Sequence, residues 1–595
     1  MCGVIGVFGN NAEQLEYRFK RALLMLTHRG PDSQNYKVIN EKLLLGHTRL
    51  SILDLNDRAN QPMRDKRGNT LVFNGEIYNF KELKDDLNEY LFTTSSDTEV
   101  LLYCIDKYGI ECTLKKLNGM FAFLYWNEEE KELIVARDRF GKKPLFYVQK
   151  DDLIFFASEA KVFGEFGINF EVNETSIVNF LFDRRVGSFD SNFFKNVNSI
   201  KSGYLNKFNI INNKICTEEI KYWGLDDITI SQDINYQDAV KRFYDVFNDS
   251  VNLRMVGDVP VAFMLSGGLD SSSIVSIAAE NNSNKKITAI SAIYPDSKYD
   301  ESKYAIEVVN KYKNIVKEFI PITTDMFFDH LDQTIYAQET PIADGSMVAH
   351  NVLMEKISNL GFKVLLSGNG GDEILAGYPG HEYAYYAQQL KLLNFSGIPL
   401  SKISNIIYHS LPNRLKSYTK YIVAKNKGFL RDQSKLELLY DMYGYNYNDY
   451  DMVNFYLKMS LISWTIPGFV WYEDRNAMSY GIETRSPFLD YRLVELMLSL
   501  PGDYKVDKQY RKKVLRDSMI GILPDKVLYR KDKKGFHSPI DHYIKHIDDN
   551  VFNDKEFIEC FYYLDIKKII TSGYMYKWRL FAIYKWFEIF IKKTG

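Results

Sequence analysis

Short apolar runs bounded by Gly, Asn and Asp recur through residues 1–160, a pattern that is typical of strands. They predict strands at residues 4–8, 43–46, 71–74, 121–126, 133–136 and 154–157. Apolar positions three or four apart predict helices at residues 15–26 and 97–107. Many strands and few helices favour a mostly antiparallel, two-layer α+β domain.

The pattern changes after residues 205–235, which are polar and lack a clear apolar period. Beyond them, strands are predicted at residues 259–265, 287–293, 315–320 and 364–366, and helices at 236–255, 272–280, 301–313 and 349–360. This alternation favours a parallel sheet with helices on both faces. Residues 380–500 have a mainly helical pattern, and the aromatic stretch 576–593 predicts a docking helix rather than a membrane-surface helix. We therefore predict two domains, at residues 1–210 and 236–595.

The bulk composition of the 595-residue chain is that of a globular protein, with 46% hydrophobic and 26% charged residues. Lys and Arg number 75 against 77 Asp and Glu, so no basic excess points to nucleic acid or to an anionic membrane surface. No apolar run of about 18 residues predicts a membrane span, and no basic segment with a following apolar stretch predicts secretion. The five cysteines lack paired metal spacing, which favours reduced thiols and a cytoplasmic location.

Candidate chemistry begins at Cys2, because removal of Met1 would leave a thiol and a free α-amine on one residue. The pKa of a thiol is about 8.5 and that of an α-amine about 7.7–8.0, so the amine can act as a built-in general base. A lone cysteine at this position is also typical of a small buried core residue. The neighbouring motifs favour the catalytic interpretation.

Further motifs supply what thiol attack on an amide needs. The Asn74 side chain and the Gly75 N–H can form an oxyanion hole, and Arg49 can bind a carboxylate through two parallel hydrogen bonds. Glu76 and Asp97 can hold an ammonium group. A ligand with a carboxylate, an ammonium group and a side-chain amide would fit these residues, and glutamine has all three. Taken singly, Asn74-Gly75 is typical of a hairpin turn. Arg49 alone is typical of a surface ion pair, and Asp97 alone of a helix cap.

A second candidate site follows the predicted strand at 259–265, where the chain reads Ser266-Gly267-Gly268-Leu269-Asp270-Ser271-Ser272. A strand, a glycine-rich turn and a helix N-terminus create an anion site from backbone N–H groups and the helix dipole. The turn has no Walker A lysine, and no Gly-x-Gly-x-x-Gly fingerprint follows a strand. An ordinary strand–turn–helix connection is the alternative interpretation.

Another strand-to-turn element reads Leu366-Ser367-Gly368-Asn369-Gly370-Gly371-Asp372-Glu373. Ligands of parallel sheets bind beyond the carboxyl ends of the strands. Asp270 and Asp372 each follow such a strand, so we predict that they share Mg²⁺ with nucleotide phosphates. As isolated residues, both would more often be caps or turn formers.

The N-terminal motifs resemble the class II, N-terminal-nucleophile glutamine amidotransferases over roughly residues 1–200. The resemblance also rests on His-Arg-Gly-Pro-Asp at 28–32, Ala-Arg-Asp-Arg-Phe-Gly-Lys-Lys-Pro-Leu at 136–145 and Phe-Ala-Ser-Glu at 156–159. It implies an α+β N-terminal-nucleophile sandwich with Cys2 as the nucleophile. The other site residues that it implies are Arg49 for the glutamine carboxylate, Asn74 and Gly75 for the oxyanion hole, and Glu76 and Asp97 for the glutamine amine.

The Ser-Gly-Gly-x-Asp-Ser turn resembles the PP-loop of the ATP pyrophosphatases, and residues 236–545 resemble the asparagine synthetase family. The matching segments lie at 300–301, 339–344, 474–478, 483–490, 512–516 and 530–536. The resemblance implies an α/β parallel-sheet PP-loop domain with added helices that uses ATP and Mg²⁺, with Lys533 stabilising charge as an acyl-adenylate forms. The ATP-binding residues that it implies are Leu265, Ser266, Gly267, Gly268, Asp270, Ser271, Ser272, Ser291, Ser367 and Gly368, and the Mg²⁺ ligands are Asp270 and Asp372.

Together these resemblances imply a glutamine-dependent asparagine synthetase that passes ammonia to ATP-activated aspartate through a water-poor passage between its domains. Asn369 occupies a position where many family members carry an acidic residue. The alternative hypothesis is therefore a related amidotransferase that acts on another carboxylate, such as a uronic acid of a surface polysaccharide. A third hypothesis is a sensor that binds glutamine or ATP without catalysis. Small-molecule partners are expected, and a homodimer is the expected assembly.

Overall fold

The computed structural model describes residues 2–187, 192–231, 233–294, 300–391, 398–411, 422–432, 434–435, 451–531 and 540–592. Within these residues the strands form two six-stranded antiparallel sheets and one five-stranded parallel sheet. In chain order, the strands are β1 Gly3–Gly9, β2 Ser33–Asn40, β3 Leu43–Arg49, β4 Met63–Arg64, β5 Thr70–Ile77, β6 Gly119–Asn127, β7 Glu132–Arg137, β8 Phe146–Lys150, β9 Leu153–Ala157, β10 Asn198–Ser199, β11 Tyr204–Ile211, β12 Lys214–Lys221, β13 Val261–Met264, β14 Ile287–Ile293, β15 Ile315–Pro321, β16 Val364–Leu366 and β17 Glu483–Arg485.

Helices cover the sheets and fill most of the C-terminal half. Their bounds in the described chain are Glu16–Leu24, Phe80–Asp85, Asp97–Tyr108, Ile110–Lys116, Glu174–Asp183, Tyr236–Leu253, Leu269–Asn281, Ser302–Lys311, Thr324–Gln338, Ser346–Asn359, Gly371–Ile374, Pro379–Lys391, Ile403–Ser410, Met452–Met459, Ile466–Met478, Tyr491–Ser499, Lys513–Ser518, Asp525–Leu528, Ile540–Tyr543, Lys555–Cys560, Ile566–Thr571 and Tyr574–Phe590. None of these helices is long and apolar enough to cross a bilayer.

The two antiparallel sheets face each other in the N-terminal half. Their strand orders are β10-β8-β9-β1-β3-β2 and β12-β11-β7-β6-β5-β4. Val4 and Leu45 of the first sheet pack in one core with Val72 and Leu124 of the second. Helices lie against the outer faces of both sheets. The predicted N-terminal-nucleophile α+β sandwich is confirmed.

Polar edge strands were not predicted by the apolar pattern. β2, β11 and β12 are edge or near-edge strands with many half-exposed residues, so they lack the buried alternation that identifies a strand. β11 and β12 form a hairpin turning at Asn212 and Asn213, whose φ values are 52° and 61°. Asparagine tolerates this left-handed conformation. The hairpin continues the N-terminal sheet through Lys221, beyond residue 210.

The parallel sheet has the order β15-β14-β13-β16-β17, with β13 at its centre. Its first four strands are those that the apolar runs predict, and the prediction of a parallel α/β domain is confirmed. β17 has three residues and lies in a region of helical pattern, so no run marks it in the sequence. The C-terminal helix, Tyr574–Phe590, buries Trp578 and Trp586 completely, as expected of a docking helix.

Candidate active sites

Cys2 immediately precedes β1 and is only 7% exposed. Its backbone N–H donates to Oδ1 of Asn74 at 3.0 Å. Burial raises the pKa of the Cys2 thiol, although the N–H of Leu50 and the charge of Arg49 act in the opposite direction. The thiol is therefore protonated near neutral pH, and attack by its sulfur requires a base.

Asn74 and Gly75 do not form a hairpin turn, because both lie within β5 and pair with β6. The Nδ2 atom of Asn74 is buried and has no hydrogen-bond partner among the described residues. An unused buried donor is costly unless a ligand accepts from it. Gly75 is required by close packing, since a Cβ there would lie 2.1 Å from the Met120 carbonyl oxygen. The amide of Asn74 can therefore donate to an oxyanion formed beside Cys2.

Two buried carboxylates lie in the same cleft as Cys2. Glu76 is on β5, 3.3 Å from Nη2 of Arg485, and burial raises its pKa well above the ordinary value. Asp97 accepts the Ile77 N–H at 2.9 Å, and burial raises its pKa to about 6. The helix that begins at Asp97 is capped by Ser96 rather than by Asp97. Both carboxylates are thus placed where a cation would stabilise their charged forms.

Arg49 binds the loop that closes the cleft. Its Nη1 donates to the Asn56 carbonyl and to Oδ1 of Asn60, both at 2.8 Å. Its Nη2 donates to the carbonyls of Leu53 and Asp54. All four N–H groups on these two nitrogens are therefore used, and a glutamine carboxylate would have to share or replace these bonds. The carboxylate-binding role of Arg49 stays a prediction.

The cleft is small and open to solvent at its mouth. Its lining residues are Cys2, Arg49, Leu50, Ile52, Leu53, Ala59, Gln61, Phe73, Gly75, Glu76, Ser96, Asp97, Thr98 and Glu483. Glu483 comes from β17 of the other domain, and Nε of Arg485 donates to it at 2.6 Å. Although burial opposes ionisation, the Arg485 charge keeps the pKa of Glu483 below its ordinary value. The sequence did not predict this residue here, since it belongs to a motif of the synthetase half.

The second site is the turn between β13 and the helix Leu269–Asn281. The hydroxyl oxygens of Ser266 and Ser271 are 3.0 Å apart, and the Ser266 N–H donates to the Ser271 hydroxyl at 3.1 Å. Gly267 has a φ of 76°, and a Cβ there would lie 2.8 Å from the Ala305 nitrogen. This tight turn leads into a helix N-terminus, which favours bound anions.

The remaining predicted nucleotide residues gather around this turn. A Cβ at Gly368 would lie 3.1 Å from the Ser271 nitrogen, so the turn after β16 touches the turn after β13. The Ser291 hydroxyl donates to the Leu265 carbonyl. Ser272 is fully buried in the domain core. The nucleotide-binding role of this junction stays a prediction beside the alternative of an ordinary strand–turn–helix connection.

Asp270 and Asp372 face each other across Lys512, whose Nζ lies 2.5 Å from Asp270 and 2.7 Å from Asp372. Lys512 thus occupies the position of a shared cation. No group of three or more His, Cys, Asp or Glu side chains is arranged for a metal in the described chain. Two carboxylates fit Mg²⁺, which usually takes one or two carboxylates and completes its shell with phosphate oxygens and water.

A cleft of about 970 Å³ lies beside this pair. Its lining is predominantly basic and includes Lys402, Lys508, Arg511, Lys512, Arg516, Arg530 and Lys531. Arg530 also donates to the Gly267 carbonyl at 2.9 Å, which links the basic lining to the turn. Such a lining suits a polyphosphate. Lys533, the predicted charge-stabilising residue, lies outside the described residues.

Buried charges link the Cys2 cleft to the C-terminal domain. Nε of Arg29 donates to the Cys2 carbonyl at 3.1 Å, and its Nη atoms pair with Glu159 and Asp474, each at 2.9 Å. Asp474 belongs to the C-terminal domain, and it also lines a small interdomain pocket with Lys142. Burial lowers the pKa of Lys142 to about 7. The Cys2 backbone is therefore held by residues from both domains.

Comparison with known proteins gives the family. The profile of the glutamine amidotransferase domain matches residues 1–223, and the asparagine synthase profile matches residues 242–557. The chain belongs to the asparagine synthase family. It is therefore an asparagine synthetase-like, glutamine-hydrolysing amidotransferase, an enzyme of the ligase type.

Curated relatives match this amidotransferase over most of their length. Asparagine synthetase [glutamine-hydrolyzing] 1 of Bacillus subtilis (strain 168) is 31% identical, covering 92% of this chain and 88% of its own. Asparagine synthetase [glutamine-hydrolyzing] 3 of the same organism is 29% identical, covering 89% and 86%. Amidase chry2 of Gibberella zeae is 25% identical, covering 90% and 86%. The similarity therefore spans both domains.

Proposed function

We propose that the protein is a glutamine-dependent asparagine synthetase. It hydrolyses glutamine to glutamate and ammonia, and transfers the ammonia to aspartate that ATP has activated as an AMP ester, releasing AMP and pyrophosphate. The observation that carries the proposal is the buried Cys2 beside an unpartnered Asn74 amide donor, in one chain with a PP-loop-like junction.

In the first half-reaction, the Cys2 nitrogen becomes a free amine once Met1 is removed, and it takes the thiol proton. The sulfur attacks the glutamine amide carbon, and the N–H groups of Asn74 and Gly75 stabilise the oxyanion. The amine returns the proton to the leaving nitrogen, so ammonia and a thioester form. Water then cleaves the thioester to glutamate, and Glu76 and Asp97 hold the substrate ammonium throughout.

In the second half-reaction, the N–H groups of the Ser266–Ser271 turn and its serine hydroxyls bind the phosphates of ATP. Asp270 and Asp372 would hold Mg²⁺, which when bound neutralises phosphate charge. The acceptor carboxylate attacks the α-phosphorus and displaces pyrophosphate. Ammonia then attacks the acyl-adenylate carbon and displaces AMP. Lys533 stabilises the negative charge that develops during these steps.

Asn369 favours a second candidate acceptor. A neutral amide can orient a substrate by hydrogen bonds, but it cannot attract the aspartate ammonium by charge. A carboxylate without an amine, such as that of a uronic acid in a surface polysaccharide, therefore suits this position as well. The presence of an amidase among the curated relatives agrees with a varied acceptor.

An acceptor screen with glutamine and Mg-ATP tests the proposal by measuring AMP and pyrophosphate. Aspartate should trigger pyrophosphate release under the first hypothesis, and galacturonate or glucuronate under the second. Cys2→Ala should abolish glutamine-dependent product and retain ammonia-dependent product, while Cys112→Ala, at an exposed thiol, should leave both unchanged. A wild-type protein that forms no glutamate would instead support the sensor hypothesis. Mass spectrometry that finds Met1 on active enzyme would refute the proposed base.

A further inference from the structure

The segment 254–260, here called the connector, joins the helix Tyr236–Leu253 to β13. Asp258 of the connector makes reciprocal contacts with the N-terminal domain. Its Oδ2 accepts the Asp54 N–H at 2.9 Å, and its own N–H donates to the Ile52 carbonyl at 2.9 Å. Two hydrogen bonds in opposite directions fix the relative position of the two backbones.

The partner of Asp258 is the pocket loop, residues 50–60, which forms one wall of the Cys2 cleft. Asp54 is buried, and its carboxylate accepts N–H groups from Ser95 and Asn56 at 2.8 and 3.3 Å. Although burial opposes ionisation, these bonds lower the pKa of Asp54. With the Arg49 bonds, they tie the loop together in one hydrogen-bond network. A displacement of Asp54 would therefore move the cleft wall.

A second contact joins the same cleft to the same connector. Arg485 pairs with Glu76 in the cleft and donates through Nη1 to the carbonyls of Arg254 and Val256 at 2.9 and 2.5 Å. The Arg485 carbonyl accepts the Ser367 N–H at 2.9 Å. Ser367 begins the turn after β16, which contacts the Ser266 turn. The Arg485 guanidinium thus joins the cleft to the connector, and the backbone of the same residue contacts the turn after β16.

The connector ends where β13 begins, and β13 leads directly into the Ser266 turn. We propose that Asp258 is a positioning residue that fixes the pocket loop to the connector and so couples glutamine hydrolysis to the nucleotide site. This inference rests on the proposed function, because it assumes that glutamine binds in the Cys2 cleft. It assigns a role to the domain contact beyond stability.

Asp258→Ala tests the inference, because Asp258 is an exposed side chain whose loss should not prevent folding. Loss of one hydrogen bond should raise KM for glutamine about three- to tenfold, with kcat for ammonia-dependent synthesis unchanged. The ratio of glutamate formed to pyrophosphate released should also rise. Asp258→Asn keeps an oxygen acceptor for the Asp54 N–H and should restore the wild-type KM and ratio. Asp233→Ala, at an exposed linker aspartate, is the matched control.

Three results would overturn the inference: an unchanged KM and ratio in Asp258→Ala, an equal loss of ammonia-dependent activity, or failure of Asp258→Asn to restore coupling. Thermal unfolding of each variant shows whether a loss reflects global destabilisation. A wild-type protein without glutaminase activity would refute the proposed function itself. If the wild type and Asp258→Ala form glutamate and pyrophosphate in the same ratio, only the role of Asp258 is refuted.

Discussion

At the residue scale, Asn74 uses the two ends of one amide differently. Its oxygen accepts the Cys2 N–H, and its nitrogen faces no partner among the described residues. Asn74→Asp keeps the oxygen and removes the donor. We expect kcat for glutamine hydrolysis to fall about 10²- to 10³-fold with little change in KM, because the donor acts on the transition state. Steady-state glutamate release measures both constants.

Ammonia-dependent synthesis provides the control for Asn74→Asp, since it bypasses the thiol. The variant should retain that rate. An equal fall in both activities would show that Asn74 supports the fold rather than the oxyanion. A rise in KM with unchanged kcat would place it in substrate binding instead.

Asp97 gives a pH-dependent prediction. Burial raises its pKa to about 6, so the free enzyme loses this negative charge as the pH falls through 6. In the unfolded chain the pKa of Asp97 is near its ordinary value of 3.8. The free energy of unfolding therefore falls as the pH rises from about 4 to about 6, because the folded protein must then hold a buried charge at Asp97. We expect kcat/KM for glutamine to fall below about pH 6, since a neutral Asp97 cannot hold the substrate ammonium.

The pH profile of Asp97→Asn checks this assignment. The acid limb near pH 6 should disappear, and kcat/KM at pH 8 should be lower than in the wild type. Persistence of the limb would assign it to another group, such as Glu76, whose pKa burial also raises.

Local motifs identified residues that the fold brings together, although Asn74 and Gly75 lie within β5 rather than at its end. Cys2, Gly75, Glu76 and Asp97 line one cleft, as those motifs require. Glu483 could not be predicted there, because no local pattern shows which distant strand reaches a cleft in another domain. The sequence also could not predict that Arg49 donates to backbone carbonyls of the pocket loop, because any loop sequence supplies such carbonyls.

At the element scale, the turns after β13 and β16 bring two carboxylates together around Lys512. Lys512→Met would leave two largely buried like charges facing each other without a counterion. We expect a loss of about 3–5 kcal/mol in the free energy of unfolding. Mg²⁺ should restore part of that loss, because a divalent cation can replace the ammonium group.

Chemical denaturation with and without Mg²⁺ measures this effect. Lys513→Met is the matched control, because Lys513 forms a half-exposed pair with Asp507 at 3.5 Å that should contribute about 0–1 kcal/mol. Equal stability of Lys512→Met and Lys513→Met would contradict the role of Lys512 as the shared cation. An effect of Mg²⁺ on the control alone would place the metal elsewhere.

At the scale of the whole molecule, apolar periodicity predicted the order of the two folds but not how they join. Strand and helix patterns report burial within an element, whereas the interface also contains buried ion pairs such as Arg29–Asp474 and Arg475–Glu339. In a sequence, charged residues are typical of exposed positions, so their burial at an interface is not predicted. The polar hairpin β11–β12 was missed for the same reason.

The C-terminal helix completes this junction. Trp586 is fully buried, donates from Nε1 to the Glu339 carbonyl at 3.0 Å and packs on the ring of Phe194 at 5.5 Å. The Glu339 carboxylate accepts the Lys161 N–H of the N-terminal domain at 2.6 Å and pairs with Arg475. One tryptophan therefore supports a residue that contacts both domains.

Trp586→Ala should remove about 3–5 kcal/mol of stability through the cavity that it leaves. Because the cavity lies at the domain junction, we expect the glutamine-dependent and ammonia-dependent activities to fall together on warming, several degrees below the wild type. Tyr574→Ala, at a 52% exposed aromatic of the same helix, is the control and should match the wild type. Calorimetry with parallel activity assays makes the measurement. If only ammonia-dependent activity were lost early, Trp586 would stabilise the C-terminal domain alone, and the helix would not join the two domains energetically.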